Sequence, residues 1–240
     1  MKAMIFDMDG VLVNTEPLHY ECWKAALADE GIDMSYEVYK PCIGSTVGYL
    51  MKLLKEAYGE TVSDAETLRA RMYAKKEEIV QKDGFPQIPG VKEAIKRFHD
   101  EGFRLEVASS SAGYYIGRVL DALEIRQYFE CYTSGEEVDH PKPAPDTFVR
   151  AIEKLKLKPE DCLIVEDSTN GGKAAAAAGT KCVWFHNPDS GDQQIPHAVL
   201  EIASWSQENV EKIIELMKQY NTSRHYARCR AVFILMMTNQ

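Results

Sequence analysis

Short apolar runs alternate with amphipathic stretches along the chain from residue 85 onward. A short apolar run between turn residues predicts a buried strand, and apolar residues at i, i+3 and i+4 predict a helix. We expect strands over residues 2–6, 104–108, 129–133, 162–165, 181–185 and 199–202. Helices are expected over residues 91–100, 114–123, 145–155, 172–178 and 207–218. Strands that alternate with helices form a parallel, doubly wound sheet, so the predicted fold class is α/β.

Residues 14–84 follow a different pattern, in which no segment has the character of a strand. Apolar spacing predicts helices over 17–30, 46–58 and 63–80, with Ser63 as N-cap and Glu66 completing a capping box. The strand at residues 2–6 has no partner among helices and must pair with the later strands. We therefore expect three parts: a discontinuous core of residues 1–14 and 84–218, a helical insertion of residues 15–83, and an atypical tail of residues 219–240.

The net charge and the cysteines limit the possible partners. The 240 residues carry a formal charge of −9 with a pI near 5.3, whereas a nucleic-acid-binding protein needs a basic face. The six cysteines contain no Cys-x-x-Cys pair, which argues against both a zinc cluster and a disulfide framework. We expect reduced thiols, with Cys162 and Cys182 in the core, and a cytoplasmic protein that binds no nucleic acid.

Neither end of the chain predicts a membrane segment. Asp7 and Asp9 interrupt the early apolar run, so it does not resemble a signal peptide. The apolar run at residues 231–237 is much shorter than the roughly 20 residues that a membrane-spanning helix needs. For this tail, a dimer contact or a sequence foreign to the domain is favoured over a surface anchor. The sequence leaves the oligomeric state open, and a monomer is our working expectation.

Two aspartates follow the first predicted strand, and Gly10 comes directly after them. In open α/β sheets, ligands bind at the carboxyl ends of the strands, where Asp7 is expected to lie. Two carboxylates crowded into one small space favour a cation, and Mg²⁺ prefers hard oxygen ligands. The alternative at this point is a solvated turn of the type Asp-x-Asp-Gly.

Other predicted strand ends also carry polar residues. Residues 109–111 are serines, whose hydroxyl and backbone N–H groups can hold a phosphate or, alternatively, cap a helix. Lys142 lies between two prolines in a stretch that is either a rigid setting for its charge or an exposed turn. Glu166 and Asp167 end a further strand. The combination of four acids, a lysine and a serine on one edge is far more specific than any single member.

These residues together resemble the haloacid dehalogenase superfamily of phosphoryl-transfer enzymes, in particular its β-phosphoglucomutase-like phosphatases with a helical cap. The matching positions are Asp7-x-Asp9-Gly10, Ser109, Lys142 in Lys-Pro-x-Pro-Asp, and Glu166-Asp167-Ser168. The resemblance covers about residues 2–216, so residues 15–83 would be the cap domain. It implies that Asp7 is the nucleophile that becomes an aspartyl phosphate and that Asp9 is the general acid and base.

The resemblance also implies a cofactor and a phosphate site. Mg²⁺ would be bound by the Asp7 carboxylate, the backbone carbonyl of Asp9, and the Glu166 and Asp167 pair. Lys142 would offset the charge of the phosphate, while Ser109 and the neighbouring Ser110 would orient its oxygens. The expected partner is a small phosphorylated metabolite.

In this family, the cap determines the substrate. His19 and the loop of residues 43–48 correspond to substrate-facing positions, although a histidine in a first helical turn is more often a packing residue. The true mutases carry an arginine for a second phosphate where Val47 stands here. We therefore expect a phosphatase acting on a sugar or polyol phosphate, with β-phosphoglucomutase as the nearest alternative. A phospho-acceptor signalling domain is a distant alternative because it has no use for a helical lid.

Overall fold

The structure is a computed structural model of the chain and describes residues 1–43, 47–59 and 63–220. The strands are β1 (Ala3–Phe6), β2 (Arg104–Ser109), β3 (Cys131–Ser134), β4 (Cys162–Glu166), β5 (Lys181–Phe185) and β6 (Leu200–Ile202). The helices are α1 (Thr15–Ala28), α2 (Tyr36–Tyr39), α3 (Val47–Tyr58), α4 (Ala65–Asp83), α5 (Val91–Asp100), α6 (Gly113–Ala122), α7 (Asp146–Leu155), α8 (Thr169–Ala177) and α9 (residues 207–220).

The strands form one parallel sheet in the order β3-β2-β1-β4-β5-β6. Helices cover both faces, as a parallel sheet requires. Met4 and Phe6 of β1 belong to the apolar cluster under α5, α6 and α9, whereas Ala3 and Ile5 belong to the cluster under α7 and α8. The predicted doubly wound α/β fold, with β1 paired between later strands, is confirmed.

The helices α1 to α4 pack around an apolar cluster of their own, which includes Trp23, Leu27, Leu54 and Met72. No strand occurs in the described part of residues 15–83, as predicted. The segments that connect these helices to the sheet run side by side, because Val13 pairs with Gln87 and the Asn14 backbone N–H donates to the carbonyl of residue 86 at 2.8 Å. We call α1 to α4 the helical unit.

The predicted capping box at Ser63 is wrong. Helix α4 begins at Ala65, and its N-cap is Asp64, whose carboxylate accepts hydrogen bonds from the backbone N–H groups of Glu66 and Thr67 at 3.0 Å. Ser63 and Asp64 are both good N-cap residues, but Asp64 accepts hydrogen bonds from two N–H groups at once. The Ser63 backbone N–H instead donates to Glu30 at 3.0 Å.

Other differences from the predicted elements concern helix ends. Helix α8 begins at Thr169 rather than at residue 172 because the Ser168 side chain caps it, accepting from the Gly171 N–H at 3.0 Å. Helix α9 continues to residue 220, so the predicted boundary at residue 219 falls within a helix, and the remainder of the tail lies outside the described residues. The one-turn helix α2 is too short to show a periodicity and was not predicted.

The predicted burial of Cys162 and Cys182 is confirmed. Five cysteines are free thiols, including the buried Cys162 and Cys182, while Cys229 lies outside the described residues. Over residues 1–43, 47–59 and 63–220, the helices lack either the length or the apolar character needed to cross a bilayer.

Candidate active site

The sheet topology brings the polar strand ends together. Strand β1 lies between β2 and β4, where the strand order reverses, and this is the position at which open α/β sheets bind ligands. Phe6 is in register with Val107 and Val165, so the residues that follow these positions leave the sheet at the same edge. The Asp7 backbone N–H donates to the Val165 carbonyl at 2.9 Å, which continues the pairing to the edge.

Three carboxylates meet at this edge. One oxygen from each of Asp7, Glu166 and Asp167 lies within 4.8 Å of the other two, and all three residues are buried. Burial raises the pKa of Asp7 to about 7, although the neighbouring Lys142 opposes the shift. Burial and the Glu166 carboxylate also raise the pKa of Asp167. Burial thus disfavours the ionised forms of these carboxyl groups unless a cation lies beside them.

Lys142 contacts two members of this acidic cluster. Its Nζ lies 2.6 Å from Asp7 Oδ1 and 3.0 Å from Glu166 Oε1, and it also donates to the Ala108 carbonyl at 3.2 Å. Burial alone would lower the pKa of Lys142, but the Asp7 and Glu166 carboxylates outweigh it and raise that pKa. The lysine is therefore charged and enclosed, with only 7 % of its side chain exposed. The alternative of an exposed proline turn is excluded for this side chain.

Gly10 makes room for the acidic cluster. Its φ of +81° is a conformation that favours glycine. A Cβ atom at this position would lie 1.9 Å from Asp167 Oδ2. The glycine of the Asp-x-Asp-Gly motif is thus required both by the backbone turn and by the approach of the carboxylate.

Two hydroxyl groups hold the Asp9 side chain. Its carboxylate accepts hydrogen bonds from Thr15 Oγ1 at 2.7 Å and from Ser111 Oγ at 2.9 Å, and it is not a member of the three-carboxylate cluster among the described residues. This carboxylate is nevertheless close enough to Asp7 and Glu16 to raise the pKa of each. Asp9 still lines the same cavity of about 330 Å³ as Asp7 and Lys142.

Ser109 and Ser110 line this cavity as well. Ser109 is buried at the end of β2, and its Oγ accepts the Ser111 backbone N–H at 3.1 Å. The alternative that these serines cap the next helix is wrong, because α6 follows Ala112 and has no side-chain cap. Both serines therefore lie beside the acidic residues, at the carboxyl end of β2, rather than at the start of α6.

His19 lies apart from this group, in a second cavity of about 420 Å³ between the helical unit and the sheet domain. Its Nε2 is 3.0 Å from Lys76 Nζ. Burial, followed by the charge of Lys76, lowers the pKa of His19 to about 4, so the imidazole is neutral near pH 7. Val47 also lines this cavity, whereas residues 44–46 of the expected substrate-facing loop lie outside the described residues.

Glu16 lines both cavities. Burial, with a smaller contribution from the Asp9 carboxylate, raises the pKa of Glu16 to about 7. The hydroxyl of Tyr39 donates to Glu16 Oε2 at 3.3 Å. The Glu16 carboxyl group is thus held where the cavity beside the acidic cluster meets the second cavity.

Several residues of these cavities were not singled out from the sequence. Lys76 had a usable signal, since it continues the buried stripe of Leu68, Met72 and Val80 along α4, where an apolar residue is expected. Ser190 had no such signal. Its contact with the acidic cluster depends on the conformation of a turn after β5.

The acidic cluster fits a divalent cation in its chemistry. Its donors are buried carboxylate oxygens that come close to one another, and Lys142 is their only cationic partner among the ion pairs of the described residues. Hard oxygen donors with uncompensated negative charge are the ligands that Mg²⁺ prefers. Asp7, Glu166 and Asp167 would supply these oxygens.

Comparison with known proteins gives a consistent picture. A phosphorylated carbohydrates phosphatase of Thermotoga maritima is 28% identical over 221 residues, covering 91% of this chain and 99% of that protein. Hexitol phosphatase B of Escherichia coli (strain K12) is 29% identical over 199 residues, covering 82% and 88%. The crystal structure of β-phosphoglucomutase from Clostridium difficile matches with a TM-score of 0.72 at 22% identity, covering 92% and 99%, which shows the shared fold.

The model of the family described as haloacid dehalogenase-like hydrolase matches residues 4–185, from β1 to β5. The match includes every strand that contributes a residue to the acidic edge. The resemblance expected from the four motifs is therefore confirmed, and the chain belongs to the haloacid dehalogenase-like hydrolases.

Proposed function

We propose that this protein is a Mg²⁺-dependent phosphatase that hydrolyses a sugar or polyol phosphate through an aspartyl-phosphate intermediate. The observation that carries the proposal is the buried group of Asp7, Glu166, Asp167 and Lys142 at the carboxyl edge of β1 and β4. The two phosphatase relatives, which match over most of the chain, support the substrate class.

The first half of the reaction uses Asp7 and Asp9. A carboxylate oxygen of Asp7 attacks phosphorus, and the bond between phosphorus and the leaving oxygen breaks. Asp9 gives its proton to that oxygen, so the leaving group departs as a neutral alcohol. The hydroxyls of Thr15 and Ser111 hold Asp9 in one orientation for this transfer.

The second half returns the enzyme to its starting state. Asp9, now ionised, takes a proton from a water molecule whose oxygen attacks the phosphorus of the aspartyl phosphate. The bond between Asp7 and phosphorus breaks and inorganic phosphate is formed. Lys142 and the Ser109 and Ser110 groups stabilise the phosphoryl oxygens during both halves.

Asp7, Glu166, Asp167 and the backbone carbonyl of Asp9 would hold Mg²⁺. Once bound, Mg²⁺ would offset the negative charge that otherwise repels a carboxylate from a phosphate dianion. Burial is the main cause of the raised pKa values of Asp7 and Asp167, and neighbouring carboxylates add to it, so a cation bound here would stabilise the ionised forms of both groups.

We further propose that residues 15–83 act as a cap domain over a core of residues 1–14 and 84–218. A separate apolar cluster in the helical unit and the paired connecting segments at Val13 and Gln87 support this division. The second cavity, between the two parts, would accept the leaving group. A closed cap would exclude water from the phosphate.

The alternative of a mutase is less well supported. A mutase must hold a second phosphate, and the position of its arginine is taken here by Val47, an apolar residue at the start of α3 that lines the second cavity. Glu16 adds a carboxyl group at the junction of the two cavities. Because Lys76 and Arg118 also line the second cavity, it is Val47 in place of the arginine, rather than a lack of cations, that disfavours a second phosphate.

A panel of phosphorylated sugars and polyols, assayed with Mg²⁺ and with EDTA, tests the proposal. We expect Mg²⁺-dependent release of inorganic phosphate, with a preference among the esters. In a parallel assay, β-glucose 1-phosphate is supplied with a trace of glucose 1,6-bisphosphate. Formation of glucose 6-phosphate without net release of phosphate would support the mutase instead.

A further inference from the structure

The turn of residues 187–190, which follows β5, is polar and yet partly buried. Asn187 is 5% exposed and Ser190 is 3% exposed. The Asn187 side chain closes the turn by accepting the Asp189 backbone N–H at 2.9 Å. Buried polar side chains are nearly always hydrogen-bonded, so their partners show what the turn does.

Ser190 contacts the acidic cluster. Its Oγ donates a hydrogen bond to Asp167 Oδ2. Lys142 pairs with Asp7 and Glu166, whereas no ion pair among the described residues involves Asp167. The orientation of the Asp167 carboxylate therefore depends on a neutral hydroxyl rather than on a cation.

The other end of the turn holds the loop that follows Asp7. Asn187 Nδ2 donates to the Gly10 carbonyl and to Asn14 Oδ1, both at 3.1 Å. Asn14 Nδ2 in turn donates to Asp189 Oδ2 at 2.6 Å. A Cβ on Gly10 would lie 3.0 Å from Ser190 Oγ, so the loop and the turn are also in close contact. One turn thus ties the Asp-x-Asp-Gly loop to Asp167.

We propose that Ser190 is a positioning residue for Asp167, holding its carboxylate in the orientation that binds a divalent cation. The inference rests on the Mg²⁺ site of the proposed function. Without the hydroxyl, Asp167 is free to turn away from Asp7 and Glu166, whose negative charges repel it. Groups that orient metal ligands typically contribute about 10- to 100-fold to metal affinity.

The test measures Mg²⁺ binding without substrate. The melting temperature of the wild type and of Ser190→Ala is recorded over a series of MgCl₂ concentrations, and the dependence gives Kd for each protein. Ser204→Ala, at an exposed serine after β6, is the matched control. We expect Kd to rise about tenfold or more in Ser190→Ala and to stay within about twofold of wild type in the control.

Kinetics at varied Mg²⁺ distinguish positioning from chemistry. In Ser190→Ala, kcat should return close to the wild-type value at saturating Mg²⁺. An unchanged Kd, or a kcat that stays low at saturating Mg²⁺, overturns the role of Ser190 while leaving the phosphatase proposal intact. If MgCl₂ does not shift the melting temperature of the wild type, the Mg²⁺ site itself fails, and the role of Ser190 fails with it.

Discussion

Among single residues, Asp7 is the one on which the proposed chemistry depends most directly. Replacing it with Asn keeps the volume of the side chain but removes the nucleophilic carboxylate and one negative charge of the acidic cluster. We expect turnover of p-nitrophenyl phosphate to fall by at least about 10³-fold, while the melting temperature stays the same or rises. Substantial Mg²⁺-dependent activity in Asp7→Asn would contradict the covalent mechanism.

Gly10 offers a second test at this scale, with Gly102 as its control. Both residues have a φ of +81°, so Ala at either position introduces backbone strain of about 1 kcal/mol or more. Only at Gly10 would the new Cβ overlap the Asp167 carboxylate; at Gly102 it meets no described atom within 4 Å. Gly10→Ala should therefore lose most of its Mg²⁺-dependent activity, whereas Gly102→Ala should lose only stability.

Melting curves and phosphate release at several Mg²⁺ concentrations check this comparison. Equal losses of activity in the two variants would mean that backbone strain, rather than the displacement of Asp167, explains the requirement for glycine at position 10.

The sequence predicts the position of the acidic residues, but not the hydroxyl groups that form hydrogen bonds with them. Asp7, Glu166 and Asp167 each end or follow an apolar run, and parallel pairing places such residues on one edge. Ser190 donates a hydrogen bond to Asp167, and Ser111 donates one to Asp9. In each pair the two residues lie far apart in the sequence. Those contacts depend on loop conformations for which the pattern of apolar residues has no signal.

At the scale of elements, β2 carries a buried acid, Glu106, that forms no ion pair among the described residues. Glu106 is fully buried; its Oε1 accepts from Thr133 Oγ1 at 2.7 Å, while its Oε2 has no partner among the described residues. Burial raises the pKa of Glu106 to about 7, against an ordinary value of 4.5. The folded state therefore binds this proton more tightly than the unfolded state does.

The consequence for stability has a definite sign. The stabilisation from protonated Glu106 is complete below pH 4.5 and is lost as the pH rises to about 7. Glu106→Gln does not titrate, so its free energy of unfolding should exceed that of wild type by on the order of 2–3 kcal/mol at pH 8 and by much less at pH 5. Urea denaturation at the two pH values measures the difference.

Glu130→Gln is the control for this prediction. Glu130 is half-exposed and pairs with Arg104 at 2.7 Å, and the Arg104 hydrogen bonds lower the pKa of Glu130. Its loss should weaken the fold slightly at pH 8 rather than strengthen it. If Glu106→Gln gave the same difference at both pH values, the Glu106 side chain would not titrate in this range.

The elements themselves were largely predictable, because apolar periodicity reports burial. Helix α5 and strand β5 have the bounds expected from the sequence. The start of α4 was misplaced because Ser63 and Asp64 are both good caps, and only the backbone conformation decides between them. The order of the strands in the sheet is likewise absent from the periodicity.

For the molecule as a whole, the sequence predicts that the helical unit is inserted between β1 and the later strands. It does not predict how the helical unit packs against the sheet and its flanking helices. Insertion follows from the lone strand β1, which needs partners from later in the chain. The placement depends on contacts across the boundary, such as Arg118 of α6 with Glu77 of α4. The guanidinium donates two hydrogen bonds to this carboxylate, at 2.7 Å and 2.9 Å.

This ion pair provides a test of the proposed closure by the helical unit. Its side chains are 40% and 43% exposed, so the pair stabilises by about 1 kcal/mol or less. Glu77→Arg or Arg118→Glu alone places like charges face to face across the boundary and disfavours the closed arrangement. We expect each single variant to lower kcat/KM several-fold, by a similar factor for every ester of the panel, and we expect the loss to shrink at high salt.

The double variant with both substitutions reverses the pair and should recover most of the loss, although Arg118 also lies 5.9 Å from the Phe85 ring, a contact that the swap does not restore. Steady-state kinetics of the four proteins on the same esters measure the coupling. A changed ranking of substrates in the single variants would mean that the pair contacts the leaving group directly. An absence of recovery in the double variant would mean that closure does not depend on this contact, and the position of the helical unit would then have to be attributed to apolar packing around Phe85.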